Sequence, residues 1–532
     1  MNEIQLNHEQ IQLKEILSKW LNNSNKDFYG ILGAGGVGKT TLICNVLANY
    51  KKNVVFLGAT NKVISVLKDG LSRNKFENPK IKTIDSFLGF RILKDHENNS
   101  TITYRLPSVK SLPELIVIDE ISMITYQKFE QILKLSKHCK IILLGDHLQL
   151  PPIEEEKHNS IRNDEGFKVS RIFTLLTKEN SFTLTIQNRQ KTDSEMGTLI
   201  SNFRNFMHVK INPKSLAHKK SNGVDILNFK VNDKLLKDFI KQNDSTAVCY
   251  KNLTVMSMNW LIGSTKSMRK DYRLNEINVG DELLFDAFYS YKDDAFYTSN
   301  LVEVIFIKKN VEEEFIVKSN IVKKIIFNEI TVATDFNELK IIRYIHGGLY
   351  GENGGGLSSS VYGQRKTYLE HIRKGKNADE NIKYLSDLNT RFADYQNSFA
   401  KLKRPYGISC HKAQGSTYNN VIIPVWDYYA LNFQDANQLL YVAMSRAKEK
   451  LIFVDKEENF KDNSKRYCFS EFEKQAIASS YNYKCANCRV DLVEREFDCD
   501  HKIPISVGGK NSIENLQPLC KKCHLFKSSK EK

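Results

Sequence analysis

At 532 residues with 41% hydrophobic side chains, the chain is too long for one ordinary core and too apolar for global disorder, so several folded domains are expected. The formal net charge of +16 points to a polyanionic partner, nucleic acid above all, against the plainer reading that lysines decorate solvated faces. The polar opening MNEIQLNHEQ has no signal-peptide core and no apolar run approaches the roughly 18–20 residues of a membrane helix, so a cytoplasmic protein away from membranes is expected.

In chain order, FYGILGAG, NVVFLGAT, ELIVIDE and KIILLGD each read as a buried strand ending in a Gly, Asp or Thr turn, with helical stretches between them. That alternation predicts an α/β domain over 1–180, its parallel sheet wrapped by helices and its ligands at the strands' C-terminal ends. Inside it, GFRILKDHENNSTITYRLP gives two β-like runs around a polar turn, a hairpin at about 88–112 carrying Phe90 and Tyr104. A second α/β unit is expected over 181–279, resuming at 404–456. The interruption, 280–403, changes texture: LVEVIFIKK, EEEFIVKS and NEITVAT alternate as strands, GGLYGENGGGL reads as a flexible turn, and a long polar helix is expected from about Gln364 to Lys401. A linker at 457–468 leads to a last small unit, 469–532.

Gly33-Ala-Gly35-Gly36-Val-Gly38-Lys39-Thr40-Thr41 follows a predicted strand, opens a predicted helix and fits G-x-x-x-x-G-K-[ST]. Glycines let backbone N–H groups wrap phosphates, and the helix N-terminus adds positive potential. Lys39 would reach the β/γ oxygens of ATP, and the Thr40 hydroxyl would ligate Mg²⁺. Asp119 and Glu120 end a buried strand; the first would hold Mg²⁺ and the second would orient the attacking water.

Further short segments follow in order: LNHEQ (ending at Gln10), GATNK (with Thr60 and Asn61), TIDSF (from Thr83), GDHLQLPP (145–152), LTIQNR (ending at Arg189), SCHKAQGST (409–417) and YVAMSRAK (441–448). Together with the phosphate loop they resemble the superfamily 1B helicases, the group of Dda- and RecD-like enzymes, over most of residues 1–455. The resemblance implies two RecA-like motor domains sharing one ATP, 5′→3′ travel on single-stranded and forked DNA, and a probe-like hairpin at the fork with Phe90 on it. It makes Gln10 the adenine reader and Gln149 the γ-phosphate sensor. Arg189 and Arg446 become the arginines that stabilise the transferring phosphoryl group. Thr60, Asn61, Thr83, His411, Gln414 and Thr417 become DNA contacts, and the β-rich insertion takes the place of an SH3-like subdomain. A monomeric motor is expected; RNA stays open as a partner, because a basic groove does not check sugars.

The tail carries Cys485-Ala-Asn-Cys488 and Cys520-Lys-Lys-Cys523, two pairs of soft ligands suited to a structural Zn²⁺, whereas the other six cysteines are scattered like reduced thiols. Between and after the pairs come Asp500-His501, Gly508-Gly509, Asn515 and His524. This pattern resembles the HNH endonucleases of the ββα-metal type. His501 would be the general base, Asn515 would orient its loop, and Asp500 with His524 would hold a second divalent ion at the scissile phosphate. The resulting expectation is a helicase coupled to an HNH nuclease. The alternatives are a nucleotide-gated DNA-sensing nuclease, or a translocase whose tail only anchors DNA.

Overall fold

The computed structural model describes residues 6–530 apart from 24–27, 48–49, 51, 74–75, 77–78, 95–99, 104–106, 108–111, 136–137, 153–160, 164, 187–193, 219–223, 270, 298–299, 318–319, 335–337, 346–356, 375–377, 457–468 and 511. The expected flexible turn, the linker, Tyr104 and Arg189 therefore lie outside the described residues. The chain forms two compact units: residues 1–91, 103–258 and 406–467, and residues 92–102, 259–405 and 468–532.

The first unit is built on two parallel sheets. In the first lobe the spatial order is Ser181–Leu184, Phe28–Gly33, Lys140–Gly145, Leu115–Asp119, Val54–Gly58, Lys80–Thr83, with every neighbouring pair parallel. Leu115–Asp119 is buried throughout, because its alternating side chains feed two cores. Leu115 and Val117 pack with Ile31 and Leu42, while Ile116 and Ile118 pack with Phe129 and Ile132. The sequence predicts a second unit from residue 181, but Ser181–Leu184 pairs with Gly30–Gly33 and so edges the first sheet.

The second lobe's sheet runs Ile226–Lys230, Ala447–Asp455, Tyr418–Pro424, Ser245–Cys249, Gly407–Ser409, again parallel throughout. Its core takes in Leu148, Leu150 and Phe167, which follow the first lobe's strand Lys140–Gly145 in sequence.

In the second unit, a five-stranded antiparallel sheet occupies the interruption: Leu339–Tyr344, Asn320–Thr334, Leu301–Val317, Glu282–Phe285, Leu402–Lys403. Arg343 is nearly fully buried there. Its guanidinium lies 4.6 Å from the Tyr291 ring centroid and 4.3 Å from those of Phe327 and Phe399, and it pairs with Glu313. The single long helix expected from Gln364 is two helices, Leu357–Arg373 and Ala378–Asn397, held by Tyr368 stacked on Tyr384 at 4.2 Å.

The tail pairs Phe497–His501 antiparallel with Leu516–Cys520 and closes with the helix Lys521–Lys530, a ββα arrangement. The helix Glu471–Ser480 precedes it, started by a capping box between Ser470 and Glu473. This domain is docked. Ser479 Oγ donates to Tyr272 O (2.7 Å) and accepts from Leu274 N (2.8 Å). Asn275 Nδ2 donates to Ser480 O (2.6 Å), and Trp260 Nε1 donates to the Tyr483 hydroxyl (3.1 Å). Among the described residues no helix is long and apolar enough to cross a membrane.

Candidate active sites

The phosphate loop joins Phe28–Gly33 to the helix Lys39–Leu47. Gly33 has φ +148°, and a Cβ there would meet Leu184 O at 2.5 Å, so only glycine lets this loop start where it does. Gly35, Gly36 and Gly38 complete the loop, and Thr41 sits in the first turn of the helix. Lys39 Nζ donates to Gly33 O (2.8 Å) and Ala34 O (3.0 Å), which folds the ammonium over the loop's own backbone.

Thr40 Oγ1 lies 3.4 Å from Asp119 Oδ2, so the two groups expected to hold Mg²⁺ meet across the ends of adjacent elements. Burial, then the charge of Glu120, pushes the Asp119 carboxyl up to about 6. A divalent cation here would offset that cost, and the donor set of hydroxyl and carboxylate oxygens fits it. Glu120 is in the left-handed region (φ 54°, ψ 52°), a strained setting for a side chain, and its Oε2 is buried with no hydrogen-bond partner. An orphaned acceptor beside a phosphate loop suits an attacking water. Gln10 is buried beneath the loop, its Nε2 donating to Val37 O (3.1 Å) and its Oε1 accepting from Asn7 N (3.1 Å).

From GDHLQLPP, Gln149 is 1% exposed and its Oε1 has no hydrogen-bond partner. Arg446 is also buried: it donates to Val442 O (3.1 Å), Ser416 O (3.3 Å) and Ser445 Oγ (2.9 Å), all inside the second lobe. Thr60 and Thr83 start helices, accepting from Val63 N (3.3 Å) and Ser86 N (3.2 Å), and Asn61 follows Thr60 at the helix start. Thr417 is exposed and His411 half-buried. Gln414, expected as a DNA contact, is buried, with Nε2 on Leu150 O at 3.0 Å. The hairpin forms as Arg91–Lys94 against Ser100–Thr103, and Phe90 beside it lies under Lys128 Nζ at 5.0 Å.

In the tail, the Cys485, Cys488, Cys520 and Cys523 sulfurs all lie within 4.8 Å of one another, and Cys488 and Cys520 are 3.8 Å apart. A tetrahedron with Zn–S near 2.3 Å has S···S edges of about 3.8 Å, so the four thiols fit zinc. Burial works against ionisation of Cys485, but backbone N–H groups of Cys488, Cys520 and Asn487 outweigh it and bring its thiol down to about 6. Those N–H groups favour the thiolate, the form that a zinc ion would bind.

Asp498 and Asp500 alternate with Cys499 and His501 along the strand Phe497–His501, so the two carboxylates share the face toward the last helix. His524 Nδ1 meets Asp498 Oδ2 at 3.1 Å, whereas Asp500 is paired with Lys527 at 2.6 Å. The structure thus brings His524 to Asp498; sequence reasoning took only the neighbour of His501, although the two-residue period marks both. His501 faces the other way, its ring 6.0 Å from that of Phe469. Asn515 pins the loop after His501: its amide donates to Ile503 O (2.9 Å) and Lys510 O (2.8 Å) and accepts from Ile503 N (2.8 Å). Gly509 is obligatory in that loop, since a Cβ would lie 1.9 Å from Ile503 O.

These elements define a two-lobed P-loop nucleotide hydrolase joined to a zinc-fitted ββα domain. Family models agree: an AAA domain matches residues 19–155, a UvrD-like helicase C-terminal domain 406–454 and an HNH endonuclease 485–530. Uncharacterized protein R530 of Acanthamoeba polyphaga mimivirus is 24% identical, spanning 84% of this chain and 99% of that protein. RecBCD enzyme subunit RecD of Buchnera aphidicola (subsp. Schizaphis graminum) is 25% identical over 80% of this chain and 70% of its own length. ATP-dependent DNA helicase dda of Enterobacteria phage T4 is 23% identical over 85% and 99%. The chain is an ATP-dependent DNA helicase carrying an HNH endonuclease domain, and it is similar to RecD and dda.

Proposed function

We propose that the protein loads on single-stranded DNA, moves 5′→3′ by hydrolysing ATP, and cuts DNA with its tail. The observation that carries this reading is the meeting of Lys39, Thr40, Asp119 and Glu120 at the ends of one lobe's strands, beside a second lobe of the same parallel architecture. In this reading Lys39 leaves the loop carbonyls for the β/γ oxygens, and Glu120 holds the attacking water. Mg²⁺, on Thr40 and Asp119, neutralises charge on the phosphates. Gln149 senses the γ-phosphate, and Arg189 and Arg446 approach from the second lobe. The γ-phosphate then decides whether the lobes close, and grips on the strand alternate. Thr60, Thr83 and Thr417 supply hydroxyls at the strand, and the basic balance favours the phosphate backbone.

In the tail, zinc on the four cysteines holds the fold and His501 takes the proton from water. His524, with Asp500 or Asp498, offers the ligands for a catalytic divalent ion. Nucleotide-gated cutting is the second reading, supported by the docking of the tail on residues 260–275.

The test is unwinding of forked duplexes bearing a 5′ or a 3′ tail, with and without ATP, alongside plasmid nicking. Lys39→Ala is expected to abolish ATPase and unwinding, and His501→Ala to abolish nicking while ATPase survives. Unwinding from a 3′ tail alone refutes the polarity. A Lys39→Ala protein that still unwinds refutes the motor.

A further inference from the structure

The segment Asp146–Leu150 leaves the first lobe's strand Lys140–Gly145, yet its bonds run to the second lobe. Asp146 is fully buried and accepts from Arg204 Nη1 through both oxygens at 2.9 Å, and from the Tyr441 hydroxyl at 2.7 Å. Arg204 stands on the helix Glu195–Asn205 and Tyr441 on the helix Phe433–Met444, both in the second lobe, with the guanidinium 5.4 Å from the tyrosine ring centroid. Gln438 of that same helix, also fully buried, donates to Leu148 O (3.4 Å), Gln149 O (3.3 Å) and Lys168 O (2.7 Å). Gln414 donates to Leu150 O. Three consecutive backbone carbonyls are therefore taken by two second-lobe glutamines, while Leu148 and Leu150 sit in the second lobe's core. Asp146 in turn organises the segment from within, accepting from Leu148 N through its carboxylate (3.2 Å) and from Gln149 N through its carbonyl (3.1 Å).

We propose that Arg204 is a positioning residue for ATP hydrolysis: with Tyr441, Gln438 and Gln414 it fastens Asp146–Leu150 to the second lobe, so that Gln149 moves with that lobe. Lys39, Asp119 and Glu120 stay with the first. The inference rests on the motor reading, in which Gln149 faces the γ-phosphate. Its consequence is that opening of the lobes withdraws the sensor's amide from the phosphate as one rigid piece. Gln149 Nε2 would donate to the phosphate, and the unpartnered, buried Oε1 would be carried in and out with it. Electrostatics agree: burial pushes the Asp146 carboxyl up, but Arg204, then Lys39 and His147, outweigh it and hold it below its ordinary value, so it stays charged and needs its arginine.

The test uses Arg204→Met in the full-length chain, read by hydrogen exchange and by steady-state ATPase with single-stranded DNA. Exchange of the Leu148–Leu150 amides is expected to quicken by about tenfold or more in the protein without nucleotide. DNA-stimulated kcat is expected to fall about tenfold while the KM for ATP moves less than about twofold, a split that general loss of structure does not give. Removing Arg204 alone leaves Asp146 charged and buried, so the double variant Asp146→Asn/Arg204→Met is measured beside it; it is expected to recover thermal stability yet keep the kcat defect. Unchanged exchange at 148–150, or wild-type kcat in either variant, overturns the proposal. A wild-type protein without DNA-stimulated ATPase refutes the motor reading instead, and the exchange data still decide whether Arg204 holds the segment.

Discussion

Asp427 shows what one buried carboxylate does for the second lobe. It lies in the run IIPVWDYY, an acid among apolar residues, and is fully buried. Burial pushes its carboxyl up, partly offset by three donors: Tyr250 N (2.5 Å), Lys251 N (2.9 Å) and Thr254 Oγ1 (2.7 Å). Those donors surround the start of the helix Asn252–Ser267, so Asp427 acts as a cap supplied from 173 residues away. Asp427→Ala is expected to cost about 3 kcal/mol, since three donors lose a charged acceptor at once. A fall in denaturant midpoint at constant slope would check it.

Residues of this kind mark where legibility stopped. Lys39, Thr40, Asp119 and Glu120 stood out in the sequence because local spacing at strand ends carries their pattern, and the structure brings Thr40 to Asp119. Arg204 could not, because its partners are 58 and 237 positions away and an arginine in SNFRNF carries no local sign of burial. Gln414 was legible as a motif residue, but spacing does not say which way an amide points.

At the scale of elements, parallel strands were plain in the sequence because both their faces are buried, which leaves continuous apolar runs. Assignment of a strand to a sheet was not: Ser181–Leu184 looks like the start of a new domain, and only its hydrogen-bonded register with Gly30–Gly33 puts it in the first. The ββα tail was legible through its cysteines, since such a small domain has little core of its own. That core comprises Ala478, Tyr483, Cys485, Leu492, Phe497 and Leu519, so a metal on the four cysteines would supply much of the folding free energy. Stripping zinc with a strong chelator, or replacing Cys488 by Ser, is expected to unfold residues 481–530 while ATPase is retained. Proteolysis mapped by mass spectrometry, run beside an ATPase assay, checks both halves of that statement.

For the whole molecule, the sequence suggested a bead on a string: a motor, a linker and a nuclease. The structure adds a seat. Ser479 is fully buried and bonds both Tyr272 O and Leu274 N, which no inspection of residues 457–468 could have indicated. Ser479→Ala leaves both groups unsatisfied and is expected to cost the seat about 1–3 kcal/mol. The Leu274 amide should then exchange faster, with the four-cysteine core unaffected.

At the seat, Trp260 Nε1 donates to the Tyr483 hydroxyl. A tail held at Tyr483 by an indole carries its own optical reporter, so a change in Trp260 emission would register release of the tail from its seat.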